Sequence, residues 1–459
     1  MSMRDVFLVN YSVKGIKTLD EMVSLSFYKK IISKDTDTQE YNIKGIYGMN
    51  GSGKSGIVIS VDILRNLLIN VEYLNNPIVQ KKLDAMINKR IRELYIEVDY
   101  ITKLKDILNF YRYKVKLTKN MVGKYVISYE QLSFKKANSK KEHLQTIFEI
   151  QDGEIVSIMG SDSDELAQTI EQKTVNLLDN ISVCALFCEK IMPMIKGKNK
   201  MFLTTLAEDL SVLFLFGKKL HVYLDQSDEH KDYFGQNKYK NYEILVETNS
   251  GIDYFVRFLN ELARDSLDVI SISENIVPKN SYEHFEECIR KLYEFLHIFK
   301  SDLRSIEIDK KEDYDAYICS LILVYDDYKI HAEFESTGIK KLIRMYAYLR
   351  EMVEGGIVFV DEFDSNLHDV YLCALLEYLM EYGEGQLCFT THNVGPMDVL
   401  KTRKKSIDFL SEEHKIYSWT TNGNYSPSKL YRNGMIEGSP FNVDSIDFVG
   451  VFDSGEEGV

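Results

Sequence analysis

Residues 48–55 read Gly48-Met49-Asn50-Gly51-Ser52-Gly53-Lys54-Ser55, a GxxxxGKS octet entered from the apolar run Tyr41 to Tyr47. No other feature constrains the chain as much, because the octet demands a strand, a tight glycine turn and a helix in that order. Glycines at 48, 51 and 53 let backbone N–H groups converge on an anion, and Lys54 is spaced to reach the β- and γ-phosphates of a nucleotide. Asn50, Gly51, Ser52, Gly53, Lys54 and Ser55 are therefore the expected nucleotide-binding residues, with Ser55 also expected on Mg²⁺. A helix over Gly56 to Leu68 would turn its positive end toward the phosphates.

Two downstream strands complete a site of this kind. Ile357-Val358-Phe359-Val360 reads as a buried central strand, with Asp361 and Glu362 at its carboxyl end. Asp361 is expected to contact Mg²⁺ through water, and Glu362 to polarise the attacking water as the catalytic base. About thirty residues on, Leu387-Cys388-Phe389 runs into Thr390-Thr391-His392-Asn393. There His392 is the candidate sensor of the γ-phosphate and the second expected catalytic residue. Upstream, Glu333 to Leu342 (EFESTGIKKL) opens an amphipathic helix. Ser336 at that point is at least a helix N-cap.

In the order phosphate loop, long insertion, ESTG, DE strand, SNLH turn (Ser365 to His368) and TTH, the chain resembles ABC-class ATPases of the branch often called AAA15. That branch is related to the OLD nucleases and to RecF- and SMC-type repair ATPases. It includes AbiL-type abortive-infection ATPases, the AriA subunit of PARIS and the PtuA subunit of Septu, all anti-phage proteins. The resemblance extends from the Phe7 to Tyr11 strand, through Ile127 to Leu132, to a closing KLYRNGMIEGSPFNVDSIDF at 429–448. It implies an α/β fold, an ABC-type (SMC/RecF/OLD-like) ATPase head with mixed sheets, binding ATP and Mg²⁺. Ser336 and Gly338 would close over the nucleotide of a second head in a dimer or higher homo-oligomer. Gln131 would be a metal contact, assigned by its place after a strand. The signature departs from the wider pattern, ESTGIKK standing for LSGGQ. Phe363 follows the glutamate, and His368 stands where a D-loop aspartate is expected.

Charge and cysteines bound the partners. The net charge of −14 argues against a chain that coats nucleic acid. Lys135-Lys136 with Lys140-Lys141, the trio Lys196, Lys198 and Lys200, and Arg403-Lys404-Lys405 are the local basic exceptions. The six cysteines lack zinc-like spacing and read as reduced core residues, Cys184 and Cys188 sharing one helix face. No apolar run approaches a membrane span and no basic-then-apolar leader opens the chain, so no membrane partner and a cytoplasmic location are expected.

Along the chain, strands are expected over Val6 to Tyr11, Met22 to Phe27, Leu94 to Tyr100, Tyr111 to Leu117, Lys124 to Tyr129 and Thr146 to Ile150. Helical periodicity then dominates through Leu166 to Ile181, Leu203 to Leu215, Tyr254 to Leu267 and Tyr282 to Phe299. Strands return at Leu303 to Ile308 and at Ile318 to Phe334, the latter broken by a turn at Asp326-Asp327. The expected organisation is lobe I at 1–158, a helical insertion at 159–300 and lobe II at 301–459. Only 67 residues follow His392, too few for a TOPRIM nuclease domain, and no HNH-like cluster is evident. The expectation is an ATPase sensor or scaffold of an abortive-infection defence system acting on a separate effector, a nuclease or toxin, with DNA and a phage-encoded trigger as further candidate partners. The alternative is a RecF- or SMC-like DNA-binding ATPase of repair or maintenance. ABC transport is disfavoured by the signature and the insertion.

Overall fold

The computed structural model describes residues 6–28, 38–104, 107–137, 143–160, 165–173, 177–188, 205–224, 267–403, 405–420 and 425–439. Its centre is a six-stranded sheet. Strand β3 (Ile43–Gly48) lies between β16 (Ile407–Leu410) and β15 (Gln386–Thr390), followed outward by β14 (Ile357–Val360) and β9 (Leu220–Tyr223). These five are parallel, and β17 (Ile416–Ser418) adds an antiparallel edge beside β16. Both faces are covered. Ile46, Ile357, Phe359 and Cys388 join one core, while Ile43, Tyr47, Val358, Val360, Leu387 and Phe389 join the other. Burial on both sides is why these strands read as unbroken apolar runs.

The first core lies beneath a seven-stranded antiparallel sheet. Its strands are β1 (Val6–Lys14), β2 (Val23–Ser26), β4 (Glu93–Leu104), β5 (Ile107–Lys119), β6 (Tyr125–Lys136), β7 (Gln145–Gln151) and β8 (Glu154–Ile158), in the order β2-β1-β4-β5-β6-β7-β8. Helix α1 (Lys54–Ile69) runs in that core, with the Ser60 hydroxyl 2.7 Å from the hydroxyl of Tyr11 on β1. The two sheets are also joined through one side chain. Strand β2 pairs only with Asn10 to Val13, so the Leu8 backbone is left over at the sheet edge. The buried Gln386 amide satisfies it, accepting from Leu8 N at 2.6 Å and donating to Leu8 O at 2.9 Å.

Helices α2 (Pro77–Met86), α3 (Glu165–Lys173), α4 (Val183–Leu186) and α5 (Thr205–Lys219) belong to the same half of the chain. The second core holds α6 (Tyr282–Phe299), α7 (Thr337–Val353), α8 (Asp369–Tyr382), α9 (Gly395–Leu400) and α10 (Pro427–Arg432). A small antiparallel sheet packs there too, formed by β10 (Asn275–Pro278), β12 (Ala316–Tyr325), β11 (Leu303–Asp313) and β13 (Lys329–His331).

Within 159–300, read from sequence as helical, Leu220 to Tyr223 instead form the edge strand of the central sheet, and Asn275 to Pro278 pair with β12. Strand β9 leaves α5 with no intervening turn residue, and its partner β14 lies far along the chain, so neither period nor punctuation betrays it. The helix expected at Tyr254 to Leu267 lies essentially outside the described residues, as do 440–448 of the closing segment. All six cysteines are free and five are buried. No helix among the described residues is long and apolar enough to cross a membrane.

Candidate nucleotide site

The octet forms the turn between β3 and α1. Gly53 is the residue before the helix and sits at φ 105°, where a Cβ would also meet Leu19 Cδ2 at 2.4 Å, so the position needs glycine twice over. The underlying turn that follows β1 braces the loop, with Thr18 Oγ1 donating to Gly51 O at 3.2 Å. On the other side, the Tyr431 hydroxyl of α10 is hydrogen-bonded to the Gly48 backbone, and its ring packs on Tyr47 and Phe409.

Lys54 is buried and folds back on its own loop, donating to Gly48 O at 2.7 Å and Met49 O at 2.9 Å. Desolvation lowers its pKa to about 8, against the opposing pull of Asp361, Glu362 and Asp364. Ser52 Oγ is buried with no hydrogen-bond partner. A self-capped lysine and an orphaned hydroxyl in one loop are what a phosphate group would satisfy, so these residues fit a nucleotide. Phosphates beside Lys54 would favour the ammonium, so its pKa must rise on binding. Binding then takes up a proton wherever the free lysine has lost one. Nucleotide affinity should stay flat below about pH 8 and fall by up to about ten-fold per unit above it. Isothermal titration at pH 7 to 9.5 checks this; an affinity independent of pH would contradict it.

The acidic pair sits at the carboxyl end of β14, one strand beyond β15. Thr390 Oγ1 donates to Asp361 Oδ1 at 2.6 Å and accepts from Glu362 N at 2.8 Å, while Thr390 O accepts from Phe363 N at 3.0 Å. Asp361 is half-buried; Glu362 is exposed and holds a left-handed φ of 49°. For a residue other than glycine such a conformation costs about 1–3 kcal/mol and persists only where its surroundings enforce it. His392 leaves β15 with part of its surface open to solvent. Desolvation first, and the Lys54 ammonium second, hold its imidazole below the usual range. Asp361, Glu362 and Asp364 thus act electrostatically on both Lys54 and His392. Ser55 and Asp361 offer hard oxygen donors of the kind Mg²⁺ takes.

Ser336 caps α7, its hydroxyl accepting from Ile339 N at 3.4 Å, and is exposed along with Thr337. Thr337 Oγ1 lies 3.3 Å from Asn366 Oδ1, and a Cβ on Gly338 would meet Asn366 O at 2.6 Å. Gly338 therefore has a role inside its own chain, letting the loop after Glu362 close onto the helix. His368 caps α8, accepting from Val370 N at 3.3 Å.

Gln131 does not follow a strand, as its assignment required. It lies within β6, opposite Lys114 on one side and Glu149 on the other. Alternation explains the placement: its neighbours Glu130 and Leu132 point into the core, and the strand runs on to Lys136. Sequence reasoning passed over Thr390, Tyr431, Asp364 and Lys341, which the fold brings to the phosphate loop or to the acidic pair beside it. Only Thr390 carried a signal, standing two residues before His392 in a TTH run.

Among the described residues, Asp268, His284 and Cys288 form a group of metal-ligating types within 4.8 Å of one another. Arg350 donates to Asp268 Oδ2 at 3.0 Å and to Cys288 Sγ at 3.6 Å. A guanidinium already supplies the positive charge there, and the group reads as an ion-pair network joining α6 to α7.

Residues 198–398 match the family described as "AAA domain, putative AbiEii toxin, Type IV TA system". The matched segment contains the ESTG helix, the acidic strand and His392, and begins after the phosphate loop. No curated protein matches the chain. A solved structure titled "Structure of the recombination mediator protein RecF-ATPrS in RecFOR pathway" is similar at 10% identity and a TM-score of 0.38, covering 91% of this chain and 99% of that one.

Proposed function

We propose that this chain is an ATP-hydrolysing sensor or scaffold subunit of a bacterial anti-phage system, controlling a separate effector such as a nuclease or toxin. The observation that carries hydrolysis is the convergence of a self-capped Lys54, the Thr390-braced pair Asp361 and Glu362, and His392 on one glycine loop. The match to an AAA-domain family described by an AbiEii toxin supports the defence setting. Lys54 and the loop amides bind the phosphates, and Ser55 and Asp361 would hold Mg²⁺, which would supply positive charge against the phosphate oxygens. Glu362, exposed at the mouth of the site, orients water and accepts its proton. His392 donates to the γ-phosphate and registers its loss.

Ser336 and Gly338 act on the nucleotide of a second copy. Mixing a Lys54→Ala chain with a Ser336→Arg chain should therefore restore up to one working site per pair, although each alone is inactive. Loss of the Ser336 cap itself should cost only about 1 kcal/mol of stability. Phosphate release that is independent of protein concentration, with no rescue on mixing, would refute the shared site. The purified chain should leave DNA and RNA intact with Mg²⁺ or Mn²⁺, and cells carrying it with its neighbouring gene should resist phage. Nuclease activity from the isolated chain would overturn the division of labour.

A further inference from the structure

Lys341 lies in the second turn of α7, one turn beyond Thr337, and is 2% exposed. A lysine there reads from sequence as a solvated face of an amphipathic helix, yet its ammonium is turned inward. Nζ donates to Glu362 O at 2.5 Å and to the Ser365 hydroxyl. The same carbonyl accepts from Ser365 N at 3.0 Å, closing the turn that follows the acidic pair. Glu362 is thus gripped at both peptide groups. Thr390, on the strand that leads to His392, holds its N–H, while Lys341, on the helix that begins at Ser336, holds its C=O.

Two residues in this loop, Glu362 at φ 49° and Asn366 at φ 60°, hold left-handed backbone without being glycine. Asn366 is the residue whose carbonyl closes onto Gly338. Strain of this kind relaxes when its restraints go, and here each restraint comes from an element carrying a different motif. A charged donor on a backbone carbonyl is among the stronger hydrogen bonds available to hold such a turn.

We infer that Lys341 is a positioning residue that fixes the backbone of Glu362 and couples the ESTG helix to it, so that what the helix N-terminus engages sets the aim of the glutamate in the same chain. The inference rests on the ATPase reading for its kinetic consequence. Its structural consequence does not depend on nucleotide.

Lys341→Met keeps the aliphatic stem and removes the donor, whereas Lys341→Arg keeps a donor. In the nucleotide-free protein, amide hydrogen exchange over 361–367 should speed up at least about ten-fold in Lys341→Met and much less in Lys341→Arg. In turnover, Lys341→Met should lower kcat by about ten-fold or more while KM for ATP stays within about two-fold. Placed on Glu362→Gln it should add no further loss, because the residue it positions no longer acts. Unchanged exchange in Lys341→Met overturns the inference even if the chain proves to have no ATPase activity. A wild type that hydrolyses ATP, with a Lys341→Met variant of equal kcat or of raised KM alone, overturns it as well. Should Lys341→Met fold poorly, Ser365→Ala removes the second acceptor only and should give a smaller change of the same kind; no change there, with Lys341→Arg also behaving as wild type in exchange and losing kcat, would assign the effect to ATP chemistry and reject the restraint.

Discussion

Glu362→Gln should still bind ATP and lose turnover, whereas Lys54→Ala should lose binding itself. The two residues sit on one site but act at different stages. Lys54 is the fixed cation of the loop, released from Gly48 O and Met49 O to meet the phosphates, so its removal leaves their charge without a partner. Glutamine at 362 keeps the size of the side chain and the backbone bonds to Thr390 and Lys341, and takes away only the ability to accept a proton. General-base catalysis contributes about 10² to 10⁴-fold, and that is the expected drop in phosphate release. Titration with a fluorescent ATP analogue, alongside phosphate release, separates the two. An equal loss of ATP affinity in both variants would show the roles to be misassigned.

Those roles were legible because each rests on a local signal. A glycine octet between strand and helix, an apolar run ending in two acids, and a second run ending in histidine need no knowledge of distant contacts. Helix α6, Tyr282–Phe299, has the bounds its periodicity predicts, since five buried residues recur along one face. Lys341 and Tyr431 were illegible for the opposite reason. A lysine in an amphipathic helix and a tyrosine near the end of the chain acquire meaning only from what the fold lays against them: the Glu362 carbonyl and the Gly48 backbone. The placing of Gln131 after a strand failed because strand ends are poorly marked. Gln131 faces outward between the inward Glu130 and Leu132 without ending the strand, and the sequence cannot tell an outward side chain from an exit. Strand β9 failed because it is four residues long and its pairing is entirely non-local.

Asp408→Asn should be the most destabilising single change of charge among the described residues, costing about 3–5 kcal/mol. Lys44 on β3 and Asp408 on the adjacent β16 pair at 2.6 Å with side chains 1% and 0% exposed. Each partner has a further hydrogen bond: Lys44 Nζ also donates to Lys405 O at 2.5 Å, and Asp408 Oδ1 accepts from Ser418 at 2.6 Å. Such a pair is weak evidence of net stability, because desolvating two charges offsets most of their attraction. Removing one partner is different, since the remaining ammonium is then buried without its counter-charge. Replacing both residues, as Lys44→Met with Asp408→Leu, should cost far less than the single change. Urea unfolding of the wild type, the single variant and the double variant at pH 7 measures both quantities. A single variant within 1 kcal/mol (about five-fold in the folding equilibrium) of the wild type would mean that the Lys405 carbonyl alone suffices for the ammonium. Because β3 delivers Gly48 into the phosphate loop and β16 is its immediate neighbour, a variant that folds but loosens here should also weaken nucleotide binding, without any contact between the pair and the phosphates.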